Sequence, residues 1–341
     1  MQGSISFVKR PMLGRIAPLT LAMLLAQQGS AWAATTDTVL THTVDVSSTT
    51  EPAELPVIQV KASKIKPKKG YQPTASNAAT RLNTSAKDTA QSLSSVGQQQ
   101  LQDFQLTSVN QALAQSAGVL VEGVETDRTY YTSRGFDITN FQVDGTGVPM
   151  LHGNIYGSMD LALYERLDIL SGANGLTAIY GDPSATVNFV RKRPTHSNKT
   201  TLKVSAGSWE AARLDVDSNV VINDQIRARG IAATSTTQSY LDRYGKKNLV
   251  LGGVVAVDVT DQTLLTVGVS HEDEHTDSPM WGALPVVYAD GSPHHYSRAT
   301  SSSSEWAYWD NLTQQAFMEL NTALTADWSI KTTLSQTRRQ P

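Results

Sequence analysis

The sequence predicts a small α+β domain followed by a series of antiparallel β-strands. Short helical and strand patterns separated by glycines run from about Gln91 to Pro194. Beyond Pro194, long segments alternate apolar with polar or small residues, and Gly, Asn and Asp turns separate them. The 341 residues carry a formal net charge of -3 and contain no cysteine. This composition excludes disulfides, thiol nucleophiles and cysteine metal sites, and it gives no electrostatic reason to expect nucleic-acid binding.

Residues 1–33 have the pattern of a secretory signal peptide. Three basic residues precede the apolar run 16–26, and the small-residue site Ala31-Trp32-Ala33 follows it. The apolar run is shorter than the ~20 residues that a transmembrane helix needs, and no later stretch approaches that length. We therefore expect an exported chain, and we expect any insertion into a membrane to use strands.

Residues 34–70 are expected to form a disordered periplasmic leader. Residues 34–54 are rich in Thr and Ser and poor in large apolar side chains, so they bury too little surface to offset the entropy of ordering. The hexapeptide 55–60 is β-prone, and its core is Val57-Ile58-Gln59-Val60. An extended segment of this type can add as a strand to the sheet edge of a partner. The alternative is a linker that contains a chance apolar run.

The α+β domain is predicted from local signals. Ser108 is expected to cap a short helix and Gly118 to end it, because the apolar residues between them share one face. Asp144-Gly145 is a strong turn dipeptide. Strand-like segments lie at 119–121, 141–143 and 167–169.

Seven strands are predicted after Pro194. A wall between lipid and an aqueous lumen produces this alternation of apolar and polar residues. A soluble β-sandwich, in which each sheet buries one face, produces it as well. The predicted segments are 200–207, 210–221, 225–238, 247–259, 263–273, 306–324 and 328–338.

Five short motifs occur in order between Arg134 and Pro194. They are Arg134-Gly135-Phe136, Val143-Asp144-Gly145, YERLDIL at 164–170, Tyr180-Gly181 and VNFVRKRP at 187–194. Together they resemble the plug domain of the TonB-dependent outer-membrane receptors for ferric siderophores. Further segments resemble the receptors for ferric coprogen and ferric rhodotorulic acid, which form the hydroxamate branch; these are 131–136, 182–192, 241–244, 281–285 and 305–308. Ser171 stands where the family usually has an arginine, which puts one expected plug salt bridge in doubt.

The resemblance implies an α+β plug domain followed by antiparallel strands of an incomplete transmembrane β-barrel. The plug is expected at 71–199 and the first ~7 strands at 200–341. A barrel that encloses such a plug has about 22 strands. The 141 residues after Thr200 (341 minus 200) supply about seven strands at ~10 residues each. We therefore expect either the amino-terminal portion of a longer receptor or a truncated product that does not transport alone.

The function that the resemblance implies is uptake without catalysis. A siderophore surrounds ferric iron with its own oxygen donors, so the protein binds the outside of the chelate and needs no metal ligand or cofactor of its own. The resemblance makes Arg134 a cation for the chelate oxygens. Tyr130, His152 and Tyr156 lie where plug loops of the family contact ligand, and Trp281 lies in an extracellular loop. The alternatives are a buried ion pair for Arg134 and ordinary loop or interfacial packing for the aromatic residues.

The implied partners are the TonB protein with its energising complex, the ferric siderophore and outer-membrane lipid. TonB would act on the TonB-box-like residues 57–60. The implied location is the outer membrane of a Gram-negative cell. A soluble periplasmic binding or signalling module built from the plug is the alternative from a different functional class.

One motif points to a third class, a zinc hydrolase. His271-Glu272-Asp273-Glu274-His275 matches H-E-x-x-H, in which both histidines must share one face of a helix. The preceding residues 263–270 alternate as a strand, so we expect an acidic strand end and no metal site.

Overall fold

The computed structural model describes Tyr71, residues 75–148, the backbone of 155–156, residues 159–173 and residues 183–340. The predicted signal peptide and leader with its segment 57–60, His152 and the Tyr180-Gly181 motif lie outside the described residues. The described residues belong to one compact unit. Among them, no helix is long and apolar enough to cross a membrane.

The described part of the α+β domain contains two short helices and eleven strands. Their bounds are β1 (Ala75–Ser76), β2 (Thr84–Ser85), β3 (Leu93–Gly97), α1 (Gln98–Asp103), α2 (Val109–Ala114), β4 (Leu120–Gly123), β5 (Arg128–Ser133), β6 (Phe136–Asp137), β7 (Asn140–Val143), β8 (Thr146–Val148), β9 (Ile155–Tyr156), β10 (Tyr164–Ser171) and β11 (Ala185–Arg191).

The main sheet of this domain has the strand order β3-β10-β11-β7-β8. Strand β10 is antiparallel to β3 and β11, and β11 runs parallel to β7. Phe141 on β7 stacks on Phe189 of β11 with ring centroids 6.5 Å apart, and Tyr164 packs on the same ring at 5.2 Å. Gln142 is buried together with its apolar neighbours because β7 lies inside the sheet, so no one-sided alternation appears there.

Helix α2 begins as its sequence predicts. The Ser108 side chain accepts a hydrogen bond from the Gln111 backbone N–H, and the Gln111 side chain accepts one from the Ser108 N–H, which completes a capping box. The helix ends at Ala114, before the predicted Gly118. Gly118 has a φ of 77° and lies in the turn after the helix. Glycine is favoured there because it adopts a positive φ at little cost, and it does not mark the helix end.

The seven predicted strands are confirmed. They form a single antiparallel meander in which each strand pairs with the next: β12 (Lys199–Ala206), β13 (Ala212–Val221), β14 (Ile226–Gln238), β15 (Gly245–Thr260), β16 (Thr263–Asp277), β17 (Tyr308–Ala323) and β18 (Ser329–Gln340). Strand β16 continues four residues past the predicted end at 273. It does so because Glu274 and Thr276 face the α+β domain, where both are buried.

The two faces of this seven-stranded sheet have different neighbours. Leu251 and Val255 on β15 are exposed, whereas Val250 and Val254 on the opposite face are buried. The buried face packs on the α+β domain, where the Leu163 side chain fills the space left by the missing side chain of Gly252. Among the described residues the sheet therefore packs on the α+β domain. A soluble β-sandwich would instead place a second sheet against this face, and the described residues form no such sheet.

Candidate functional site

Strand β5 separates buried from accessible side chains by its alternation. Thr129, Tyr131 and Ser133 are buried, and the Tyr131 hydroxyl hydrogen-bonds to the side chain of Asn110. Arg128, Tyr130 and Thr132 project from the opposite side and are only partly buried. We call this accessible side the β5 face. Glu122 and Leu120 of β4, the register partners of Tyr130 and Thr132, widen it.

Arg134 follows the end of β5 in a tight turn. It has a φ of 57° and precedes Gly135, whose φ is 82°. Its side chain is exposed and lies against Gly172, where an added Cβ would come within 3.2 Å of Nη1. Arg134 is exposed and makes no ion pair with any residue that the structure describes, which favours the ligand-facing prediction over a buried pair. Ser171, beside Gly172, donates its backbone N–H to the Ser92 carbonyl.

The connection from β4 to β5, residues 124–127, holds the start of the long loop 278–307. Glu125 accepts hydrogen bonds from Arg128 Nε at 2.6 Å and from Arg128 Nη2, and it also accepts the Gly282 N–H at 3.2 Å. The Thr126 hydroxyl accepts the Met280 N–H at 3.0 Å. The Arg128 guanidinium lies 3.9 Å from the ring centroid of Trp281. The loop is therefore joined to the α+β domain directly beside the predicted Trp281.

Asp127 fixes the same connection to the seven-stranded sheet. Its side chain is 1% exposed and lies 2.7 Å from Lys246 Nζ. It also accepts hydrogen bonds from the Tyr244 hydroxyl and the Thr276 hydroxyl, each at 3.2 Å. The Thr126 hydroxyl donates to it as well, at 2.6 Å. Burying one carboxylate among four donors satisfies its oxygens and offsets its desolvation. Asp127 thus anchors the connection at the ends of β15 and β16.

The structure brings some of the predicted site residues together and separates others. Trp281 contacts Arg128, and the backbone of Tyr156 on β9 is the register partner of Arg128. Tyr130 is two residues further along the β5 face. Arg134 is six residues from Arg128, which corresponds to roughly 20 Å of extended chain. Tyr130 and Trp281 therefore lie near one end of a strip, and Arg134 lies at the other.

Sequence reasoning missed Arg128, Glu125 and Asp127. Glu125 and Arg128 are three positions apart in a turn, a spacing that allows an ion pair but does not identify its neighbours. The role of Asp127 depends on Lys246 and Thr276, which lie more than 100 positions away in the chain, so local patterns contain no signal for it.

The contact between Glu125 and the loop is expected to depend on pH. The hydrogen bond from Arg128 lowers the pKa of Glu125 below its usual value of 4.5. A lowered pKa means that the contact is fully present above pH 4.5 and is lost as the pH falls through the lowered pKa. We expect the emission of Trp281, taken as the difference between the protein and Trp281→Phe, to change in that acid range. Constant emission down to pH 3, or the same titration in Glu125→Gln, would contradict this expectation.

The H-E-x-x-H residues lie on strand β16, as their alternation predicted. His271 and His275 lie on the outward face, whereas Glu272 and Glu274 face the α+β domain. Glu272 Oε1 accepts the Asp160 N–H at 2.8 Å, and the two nitrogens of His275 contact two aspartates. A zinc protease needs its glutamate beside the metal that both histidines bind. Here the strand holds Glu272 on the opposite face from the histidines.

A second set of contacts joins the α+β domain to β17. Asp144 lies at the β7–β8 turn, where Arg191 Nη1 donates to it at 2.9 Å and Arg193 Nη2 at 3.1 Å. Arg193 Nη2 also donates to Glu319 on β17 at 3.0 Å, and Arg191 Nη2 donates to the Gln315 side chain at 3.1 Å. Asp144 is therefore the shared acceptor of two arginines that also contact the sheet.

Two further ion pairs reach β13. Lys192 Nζ lies 2.9 Å from Asp217, and Arg213 Nη1 lies 2.6 Å from Asp160. The basic run Arg191-Lys192-Arg193 thus contacts two strands of the sheet that are not neighbours.

Comparison with known proteins gives a consistent result. Residues 85–186 match the TonB-dependent Receptor Plug Domain family. The ferripyoverdine receptor of Pseudomonas aeruginosa is 33% identical over 266 residues, which cover 76% of this chain and 32% of that protein. The chain thus spans about a third of the length of the curated relatives it matches.

Two solved structures support the same relationship. The crystal structure of the ferripyoverdine receptor of the Pseudomonas aeruginosa outer membrane, bound to ferripyoverdine, has a TM-score of 0.74 and 32% identity, and the match covers 78% of this chain and 36% of that one. The alcaligin outer-membrane receptor of Bordetella pertussis has a TM-score of 0.66 and 33% identity, with 79% of this chain and 42% of that one covered. The matches run beyond the plug into the strands.

Proposed function

Because this chain carries the plug domain and antiparallel strands of the TonB-dependent siderophore receptors, we propose that it acts in the TonB-dependent uptake of ferric siderophores across the outer membrane. The plug would hold the ferric chelate on its β5 face, and TonB would act on residues 57–60. Iron would arrive inside its own chelator, so the protein binds a complete organic shell and performs no catalysis.

The β5 face is the observation that carries this proposal. It is an accessible strip on a well-packed strand, with Tyr130 near one end and Arg134 after the other. Arg134 has an exposed guanidinium whose donors suit the anionic oxygens of a ferric chelate. Trp281 adds a rigid aromatic surface at the Tyr130 end. Tyr156 belongs to the same proposed site because its strand, β9, pairs with β5 at Arg128. His152, outside the described residues, is included on the resemblance alone.

The exposed side of the seven-stranded sheet supports an outer-membrane location. Val204, Val269 and Leu334 on this side are each more than half exposed. A soluble protein rarely leaves so many large apolar side chains in water, whereas lipid accommodates them. For this reason we prefer the receptor to a soluble periplasmic module.

Binding of ferric chelates tests the proposed function. The first chelate to test is ferric coprogen, because part of the sequence resembles the hydroxamate branch. Ferripyoverdine and ferric alcaligin follow, because the similar receptors are named for them. We expect Arg134→Gln to weaken binding of the preferred chelate about tenfold, the usual effect of losing a hydrogen bond to a charged group.

Arg81→Gln is the matched control, since Arg81 is also exposed and has a φ of 63°. If none of the three chelates binds, or if both variants bind equally well, the proposal fails. In cells that express the receptor, uptake that survives deletion of residues 57–60 would exclude TonB coupling through that segment.

A further inference from the structure

Arg128 contacts both the plug and the loop that carries Trp281. Resting on the proposed function, we propose that Arg128 is a positioning residue, which orients Trp281 so that one face of its indole ring is presented to the organic shell of the chelate. The resemblance assigns the cationic role to Arg134 alone. The geometry points to two arginines with separate tasks, one for the chelate and one for Trp281.

The position of Arg128 is itself well defined. It is the first residue of β5, and Glu125 binds its guanidinium at two nitrogens. Its side chain is 20% exposed and that of Glu125 is 4% exposed. A guanidinium held by two parallel hydrogen bonds has a fixed plane, and that plane decides where an aromatic ring can stack.

Trp281 has two contacts and is otherwise largely exposed. The Arg128 guanidinium lies 3.9 Å from its ring centroid, and Trp309 packs against it with centroids 5.4 Å apart. Even so, Trp281 is 64% exposed. A large exposed ring in a loop would normally sample several rotamers. Contacts with Arg128 and Trp309 reduce that freedom, so less entropy is lost when a ligand packs on the exposed part of the ring.

Glu125 couples the two contacts. The same carboxylate that holds Arg128 accepts the backbone N–H of Gly282, the residue after Trp281. Gly282 has a φ of 92°, which favours glycine and fixes the direction of the chain as it leaves Trp281. Both the ring and the backbone of the Trp281 segment are therefore set by the Glu125–Arg128 pair.

The anchoring of the plug does not depend on Arg128. Asp127 holds the connection to Lys246, Tyr244 and Thr276 without using the Arg128 side chain. Removing the Arg128 guanidinium should therefore leave the connection docked and release the Trp281 segment. This separation makes a positioning role distinguishable from a structural one.

The experiment labels the tryptophans of the full chain with 5-fluorotryptophan and records ¹⁹F spectra, with Trp281→Phe used for assignment. Arg128→Met removes the charge and keeps an unbranched side chain, and Arg128→Lys restores a cation without the paired hydrogen bonds. Arg298→Met is the control. Arg298 belongs to the same loop as Trp281, and its guanidinium lies 4.6 Å from the ring centroid of Tyr240, outside the proposed site. Affinities for ferric coprogen, ferripyoverdine and ferric alcaligin are measured in parallel.

We expect Arg128→Met to shift or broaden the Trp281 resonance without ligand and to leave the other resonances unchanged. The unfolding midpoint should fall, because Glu125 loses its buried partner. Binding of the preferred chelate should weaken roughly fivefold, in the range of an exposed cation–π contact. Arg128→Lys should recover part of both effects. A Trp281 resonance and an affinity equal to those of Arg298→Met would overturn the proposal. If no chelate binds the unaltered protein, the proposed function fails, whereas the ligand-free resonance still tests the orientation of Trp281.

Discussion

Asp144→Asn is expected to lower the free energy of unfolding by about 3 kcal/mol, the usual effect of removing one partner of a buried ion pair. The side chain of Asp144 is 7% exposed and that of Arg191 is 12% exposed. Asparagine keeps the shape and tolerates the φ of 52° at this turn, so the loss of charge is the main change. Arg193 would keep Glu319, but among the described residues Arg191 would keep only neutral partners and the Phe317 ring.

Urea unfolding in detergent measures this effect, with tryptophan emission as the signal. Asp137→Asn is the matched control, because Asp137 is exposed in the same domain and makes no ion pair with any described residue. A difference below ~0.5 kcal/mol between the two variants would show that Asp144 is not the shared support of Arg191 and Arg193.

Gly268→Ala has the second large expected effect, a loss of about 1–3 kcal/mol from overpacking. A Cβ at Gly268 would lie 2.4 Å from Phe317 Cε1, 2.7 Å from Phe317 Cζ and 3.2 Å from the Gly253 carbonyl oxygen. The Phe317 ring has little freedom to move, because the Arg191 guanidinium lies 4.3 Å from its centroid on the side of the α+β domain. Relieving the clash would therefore disturb the contact between the plug and β17.

Gly253→Ala provides a matched control on the adjacent strand. No atom lies within 4 Å of a Cβ added at Gly253. The two substitutions add the same methyl group to neighbouring strands, on opposite faces of one sheet. The same urea titration should show a lower midpoint for Gly268→Ala only. Equal midpoints would mean that Phe317 relaxes without cost and that the ring does not transmit strain to Arg191.

Local signals in the sequence predicted the elements, because each depends on a few neighbouring residues. The capping box at Ser108 and the strand alternation after Pro194 are such signals, and the predicted strands agree with the observed ones within four residues at each end. Helix α1 was missed, because its one buried residue, Leu101, gives no helical periodicity.

The candidate site was predicted only in part, because its geometry depends on distant parts of the chain. The resemblance indicated both Arg134 as a ligand-facing cation and Trp281 as an aromatic residue near the ligand. No local pattern relates Trp281 to Arg128, since the contact forms only when the 278–307 loop meets the β4–β5 connection. For the H-E-x-x-H motif, local signals gave the correct answer. Its residue types match a motif that requires a helix, but the residues before it alternate as a strand, and the structure has a strand there.

The alternation along β16 has a consequence for how this sequence can change during evolution. Inserting or deleting one residue near Ser270 would exchange the two faces of the strand beyond that point. His271 and His275 would turn toward the plug, and Glu272 would lose the Asp160 N–H and point outward. Length changes should therefore be excluded from this strand and tolerated in residues 285–296, where the loop forms its own small hairpin. Homologous sequences should differ in length in that hairpin and keep β16 constant in length.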